Sequence, residues 1–89
     1  MAWRIEISPS ARKELRKIDP KAARRILKFL SERVLREADP RAIGEALKGS
    51  RLGEFWKYRV GSYRIICAIE DGKLLVLVVR IGNRSEIYR

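Results

Sequence analysis

Lys57, Arg59 and Arg64 fall at alternating positions of two neighbouring strand-like stretches, and Arg84 and Tyr88 follow near the end of the sequence. Side chains alternate across a strand, so Lys57 and Arg59 project from one face while Trp56, Tyr58 and Val60 project from the other. In the next stretch Tyr63, Ile65, Cys67 and Ile69 share a face and Arg64 lies opposite them. A turn that pairs Val60 with Tyr63 makes Arg59 and Arg64 direct cross-strand neighbours. Like charges opposed in this way destabilise a sheet. A site that holds an anion between them offsets that cost, whereas Glu54, Glu70 or Glu86 as ion-pair partners would make the same positions an ordinary solvated face. A cationic set without histidine is suited to gripping a phosphodiester and to holding the charge that develops on phosphorus if it is cleaved.

The composition narrows the chemistry further. The 89 residues include 21 Lys plus Arg against 11 Asp plus Glu, a formal net charge of +10 that favours a polyanionic partner such as nucleic acid or the ribosome. There are 12 basic and 7 acidic residues through Leu47 and 9 and 4 after it, so neither half is a basic tail and a focused patch must come from folding. With no His and one Cys, histidine acid–base chemistry, disulfide stapling and the usual zinc sites are excluded. No metal or small-molecule cofactor is expected. Cys67, in alternation with Ile65 and Ile69, reads as a small buried hydrophobe. No stretch approaches the roughly 18 apolar residues of a membrane span, and the N-terminus lacks a signal-peptide layout. The expectation is a cytoplasmic protein with no membrane partner.

These side chains must be positioned by a single small domain, 1–89, because a chain of this size buries only a little over roughly 60% of its unfolded surface around one core. Trp3 to Ile7 alternates as a half-buried strand. Ser8-Pro9-Ser10 and Asp19-Pro20 are helix starts, proline being tolerated where its missing N–H would have no partner. The first helix spans about Pro9 to Lys17 and turns Ala11, Leu15 and Ile18 inward. The second turns Ala23, Ile26, Leu27, Leu30 and Val34 inward and ends before Asp39-Pro40 and Gly44. Lys48-Gly49-Ser50 and Gly53 mark a loop. Phe55 to Val60 is the next strand, and Gly61 at the first central position predicts a type II′ hairpin. Asp71-Gly72 predicts a type I′ hairpin, and Leu74 to Val79, apolar on both faces, reads as a central strand. The predicted class is α+β: an N-terminal strand and a two-helix hairpin packed on a small, mainly antiparallel sheet with a three-strand C-terminal meander.

Three groups of residues carry a family resemblance across essentially the whole chain: Leu47-Lys48-Gly49 with Phe55-Trp56-Lys57-Tyr58-Arg59; Gly61-Ser62-Tyr63-Arg64-Ile65-Ile66; and Ile81-Gly82-Asn83-Arg84-Ser85-Glu86-Ile87-Tyr88. In this order they resemble the RelE branch of the RelE/ParE toxin superfamily. The resemblance implies the toxin of a type II toxin–antitoxin system, a ribosome-dependent and metal-independent endoribonuclease (mRNA interferase) that cuts mRNA in the A site and inhibits translation. Its implied partners are a RelB-like antitoxin, the ribosome and mRNA. Lys57 matches the family's first active-site lysine, Arg64 the arginine after the Gly-x-Tyr turn, Arg84 the arginine after the late glycine, and Tyr88 the terminal tyrosine. Arg59 stands where a second lysine is common, and the segment from Arg84 to Tyr88 is shorter than in the best-known member.

Within that reading arginine suits the phosphorane, since its fork donates two parallel hydrogen bonds and stays charged. Arg64 is therefore the expected transition-state stabiliser, with Arg59 assisting. Arginine is a poor base at neutral pH. An amine among other cations loses its proton more readily than an isolated one, which makes Lys57 the expected base. Arg84 is expected to protonate the leaving group or clamp the phosphate, and Tyr88 to stack on a base or to act as an alternative proton acceptor. Arg12, Lys13, Arg16, Lys17, Arg24 and Lys28 on the helices read either as rRNA contacts or as solvated surface charge. The alternatives are a ParE-like toxin that inhibits DNA gyrase and a non-catalytic RNA- or ribosome-binding module.

Overall fold

The computed structural model describes residues 3–47 and 55–83. Strand β1 (Arg4–Ile7) exposes Arg4 and Glu6 and packs Ile5 and Ile7 against the core, as its alternation requires. Ser8 then caps helix α1 (Pro9–Lys17): its Oγ accepts the Ala11 N–H at 3.1 Å and donates to the Val79 carbonyl at 3.4 Å, which ties the helix start to the sheet. Helix α2 (Pro20–Phe29) begins at its proline, although Asp19 makes no capping bond. It continues through a π-helical turn, Leu30–Val34, in which the Leu35 N–H reaches back to the Leu30 carbonyl at 3.1 Å.

Strands β2 (Glu45–Ala46), β3 (Phe55–Val60), β4 (Tyr63–Glu70) and β5 (Leu75–Asn83) complete a five-stranded sheet in the order β1-β5-β4-β3-β2. Only β1–β5 is parallel; the meander β3–β4–β5 and the short β2 are antiparallel. The α+β class and mainly antiparallel sheet follow the sequence reading. The position of β5, hydrogen-bonded on both sides, accounts for its apolar run. One sheet face meets the helices: Tyr58, Ile65, Cys67, Val76, Val78 and Ile81 form a buried cluster with Ala11, Ile26, Leu30 and Val34. Burial pushes the Cys67 thiol above its ordinary range, as befits a core residue. Among the described residues no helix is long and apolar enough to cross a membrane.

The two hairpins differ from each other in kind. Gly61 has φ +59° and Ser62 is not left-handed, the combination of a type II′ turn, and Val60 pairs with Tyr63 as expected. The predicted type I′ turn at Asp71-Gly72 is not formed. Glu70 pairs with Leu75, leaving a four-residue connection built on a 3-10 turn at Asp71–Lys73, and the left-handed residue is Leu74 (φ 50°, ψ 47°). A side-chain anchor stands beside this longer turn: Arg41 donates a fork to Asp71 at 3.0 and 2.6 Å. The same arginine also donates to the Asp39 carboxylate at 3.3 Å and lies 5.8 Å from the Trp56 ring centre. Arg41 belongs to a 3-10 turn, Pro40–Ile43, that wraps Tyr58, whose buried hydroxyl donates to the Pro40 carbonyl at 2.7 Å. Gly44 has a steric reason to be glycine, since a Cβ there would stand 2.9 Å from the Tyr58 ring.

Candidate active site

The open face of the sheet, away from the helices, is set by strand register. Arg59 is paired with Arg64, and Lys57 with Ile66. On the far side of β4, Arg64 is paired with Gly82 and Ile66 with Arg80. Two rows result: Lys57, Ile66 and Arg80, then Arg59, Arg64 and Gly82. Strands lie about 4.8 Å apart and alternate residues about 6.7 Å apart, so four cationic positions originate within roughly 10 by 7 Å of backbone. The predicted convergence of Lys57, Arg59 and Arg64 is therefore present in the fold.

Their environments differ. Arg59 is exposed and Lys57 half-buried, whereas Arg64 is only 4% exposed. Among the described residues Arg64 has no carboxylate within ion-pair reach, and its one hydrogen bond is a long one, 3.4 Å, to the Tyr63 carbonyl. A guanidinium has five donors, and a buried charge is costly unless it is paired. Glu70, one of the acidic residues that could have neutralised this face, instead meets Lys73 at 3.7 Å. Glu54 and Glu86 lie outside the described residues, as do Arg84 and Tyr88 and the Lys48-Gly49-Ser50 loop. Arg12, Lys13, Arg16, Lys17, Arg24 and Lys28 are all exposed on the helices, which cover the other face of the sheet. Among the described residues no group of three or more His, Cys, Asp and Glu side chains is arranged to hold a metal ion.

Arg80 is the cation that alternation does not find. Counting from Leu75, strict alternation puts it on the helix side with Val76 and Val78. Cys67 pairs with Val78 but Ile66 pairs with Arg80, so Val79 is an extra residue and the face inverts after it. The only sequence signal is a lone charge in an apolar run. Arg80 contacts Glu14 of α1 at 3.2 Å, and the second oxygen of Glu14 accepts the Ile81 N–H at 2.7 Å. Beside this pair is a cleft of about 280 Å³ between α1 and β5, lined by Glu14, Lys17, Ile18, Ile81 and Gly82.

Comparison with known proteins bears on this arrangement. A family model described as the ParE toxin of type II toxin–antitoxin systems, parDE, matches residues 5–88. Toxin RelG of Mycobacterium tuberculosis is 29% identical over 89 residues, covering 100% of this chain and 99% of that protein. Among solved structures, the RelBE2 toxin–antitoxin complex of M. tuberculosis is similar at TM-score 0.83 and 25% identity, over 94% of this chain and 100% of the matched one. A double mutant of Escherichia coli toxin RelE in the free state is similar at TM-score 0.78 and 30% identity, over 99% and 92% of the two chains.

Proposed function

This chain belongs to the RelE/ParE family of type II toxin–antitoxin toxins, and on that premise we propose that it is a ribosome-dependent endoribonuclease that cuts mRNA in the A site. The observation that carries the reading is the pairing of Arg59 with Arg64 on the open face, where the buried Arg64 has no carboxylate partner among the described residues. A phosphate supplies the two acceptors that this guanidinium lacks. The net charge of +10 favours the approach of a polyanion.

In the proposed reaction Lys57 takes the proton of the 2′-hydroxyl as the 2′-oxygen attacks phosphorus. The bond to the 5′-oxygen breaks, leaving a 2′,3′-cyclic phosphate and a 5′-hydroxyl. Arg64, assisted by Arg59, holds the phosphorane charge, which is the part of the reaction where preorganised donors contribute most. Arg84 protonates the leaving oxygen or clamps the phosphate, and Tyr88 stacks on a base or accepts a proton. The acid–base work is assigned to cations and a tyrosine and needs no metal. A RelB-like antitoxin is the proposed protein partner, in keeping with the RelB–RelE complexes among the structural relatives, and the cytoplasm is the proposed location. Arg12, Lys13, Arg16, Lys17, Arg24 and Lys28 are proposed rRNA contacts, placed to dock the helical side while the sheet faces mRNA.

The test is single-turnover cleavage on programmed ribosomes with analysis of the product ends. Cyclic-phosphate products whose rate collapses in Lys57→Ala are expected; a wild-type rate in that variant would refute the assignment of the base. Tyr88→Phe keeps the ring and loses the hydroxyl, so an undamaged rate there leaves stacking and removes proton transfer. A gyrase-directed reading is favoured by the ParE description of the matching family, and inhibition of DNA supercoiling without any RNA cleavage would replace the present proposal.

A further inference from the structure

Resting on that reading, we propose that Arg80 is a second phosphate-binding residue, held in reserve by Glu14, and that the RNA strand leaves the sheet face across β5 into the cleft beside α1. Four observations meet here. Arg80 shares the open face with Lys57, two strands away across Ile66, and lies diagonal to Arg64, on the next strand and two residues from Gly82, the cross-strand partner of Arg64. Its side chain is 52% exposed and can leave its partner without unpacking the core. Gly82 is both the cross-strand neighbour of Arg64 and a wall of the cleft, so the cleft adjoins the site at a residue that has no side chain of its own. Lys17 stands in the same cleft and offers a further cation to a departing backbone.

Glu14 gives the arrangement a control. One carboxylate oxygen is fixed by the Ile81 N–H at 2.7 Å, at the part of β5 that β1, ending at Ile7, does not reach. The other holds Arg80 at 3.2 Å. The carboxylate therefore stays in place whether or not Arg80 is bound to it. A phosphodiester flanking the scissile one competes with Glu14 for the guanidinium, and the fork that serves a carboxylate serves a phosphate equally. Glu14 thus lowers affinity for RNA while it keeps Arg80 aimed along the edge of the sheet.

The experiment is the binding of a 2′-O-methylated, uncleavable single-stranded RNA to the full-length protein over a salt series, followed by fluorescence anisotropy. Arg80→Gln is expected to weaken binding about threefold to tenfold and to reduce the salt slope by about 0.7, the counterion release of one single-strand phosphate contact. Glu14→Gln keeps an oxygen for the Ile81 N–H but frees Arg80, and is expected to tighten binding about twofold to fivefold. In the Arg80→Gln background Glu14→Gln should tighten binding much less than it does in the wild type, since what then remains is only the repulsion of RNA by a carboxylate in the cleft wall. Arg33→Gln, which removes the same charge from the π-helical turn, should bind as wild type does. The inference is overturned if Arg80→Gln keeps wild-type affinity and slope while Arg64→Ala loses binding, or if Glu14→Gln tightens binding equally with and without Arg80. If Arg64→Ala is also without effect, the sheet-face reading itself has failed.

Discussion

Replacing Arg59 with glutamine should make the free protein more stable and its anion complex less so. Arg59 and Arg64 are directly opposed, with Cα atoms about 4.5–5.5 Å apart by strand geometry. A cross-strand pair of like charges costs about 0.2–1 kcal/mol, and the burial of Arg64 reduces the screening that would shrink this term. In a chain of 89 residues, about 1 kcal/mol corresponds to roughly 5 °C in melting temperature. Arg59→Gln should therefore raise Tm by about 1–5 °C in a low-salt buffer without multivalent anions. Inorganic phosphate at about ten times its dissociation constant adds about 1.4 kcal/mol to a protein that binds it. The wild type should gain most of that and the variant distinctly less, so phosphate narrows or reverses the difference between them. Thermal unfolding in phosphate, against chloride at matched ionic strength, separates binding from screening. Equal gains in phosphate for both proteins, or a variant that melts lower in both buffers, would refute the argument that the pair is held for an anion.

Other expectations concern the frame that carries β3 and β4. Tyr58→Phe removes the donor to the buried Pro40 carbonyl and should cost about 1–3 kcal/mol, seen as a Tm lower by about 5–15 °C; an unchanged Tm would remove this bond from the account. Burial raises the Tyr58 phenol above its ordinary range, so in spectrophotometric titration of the folded protein the phenol that Tyr58→Phe removes should be one that ionises above that range, and a phenol ionising within it would contradict the burial. Hydrogen bonding by Arg41 holds the Asp71 carboxyl below its ordinary 3.8. The stability from this pair is then full above that value and lost as pH falls through the lowered one. Arg41→Gln should weaken the acid dependence of unfolding, and an identical acid limb would show that the pair contributes nothing.

Elements fixed by local chemistry were legible in the sequence. Ser8-Pro9 and Asp19-Pro20 open the helices because their proline lacks a donor where none is needed, and Gly61 closes its hairpin because the turn needs a left-handed first residue. The register Arg59↔Arg64 followed from that turn, and with it three of the site's cations. What was not legible depended on tertiary contacts. Gly72 offered the left-handed residue of a tight turn, but the connection runs four residues, with Leu74 left-handed and Asp71 held by Arg41. Gly44 reads locally as a helix stop, while in the fold it makes room for a tyrosine ring. The extra residue Val79 has no sequence signature, so Arg80 could be placed only from the register on both sides of it. Strand β2, two residues long, is too short to carry any periodicity.

Cleavage of mRNA within the ribosome is the activity proposed for the cationic sheet face. Primer extension on a defined mRNA, with purified protein, tests it directly when programmed ribosomes, free mRNA and the Arg64→Ala variant are run side by side. Cuts in the A-site codon that require both the ribosome and Arg64 are the predicted result; intact mRNA on ribosomes, or cuts that persist undiminished in Arg64→Ala, would contradict it.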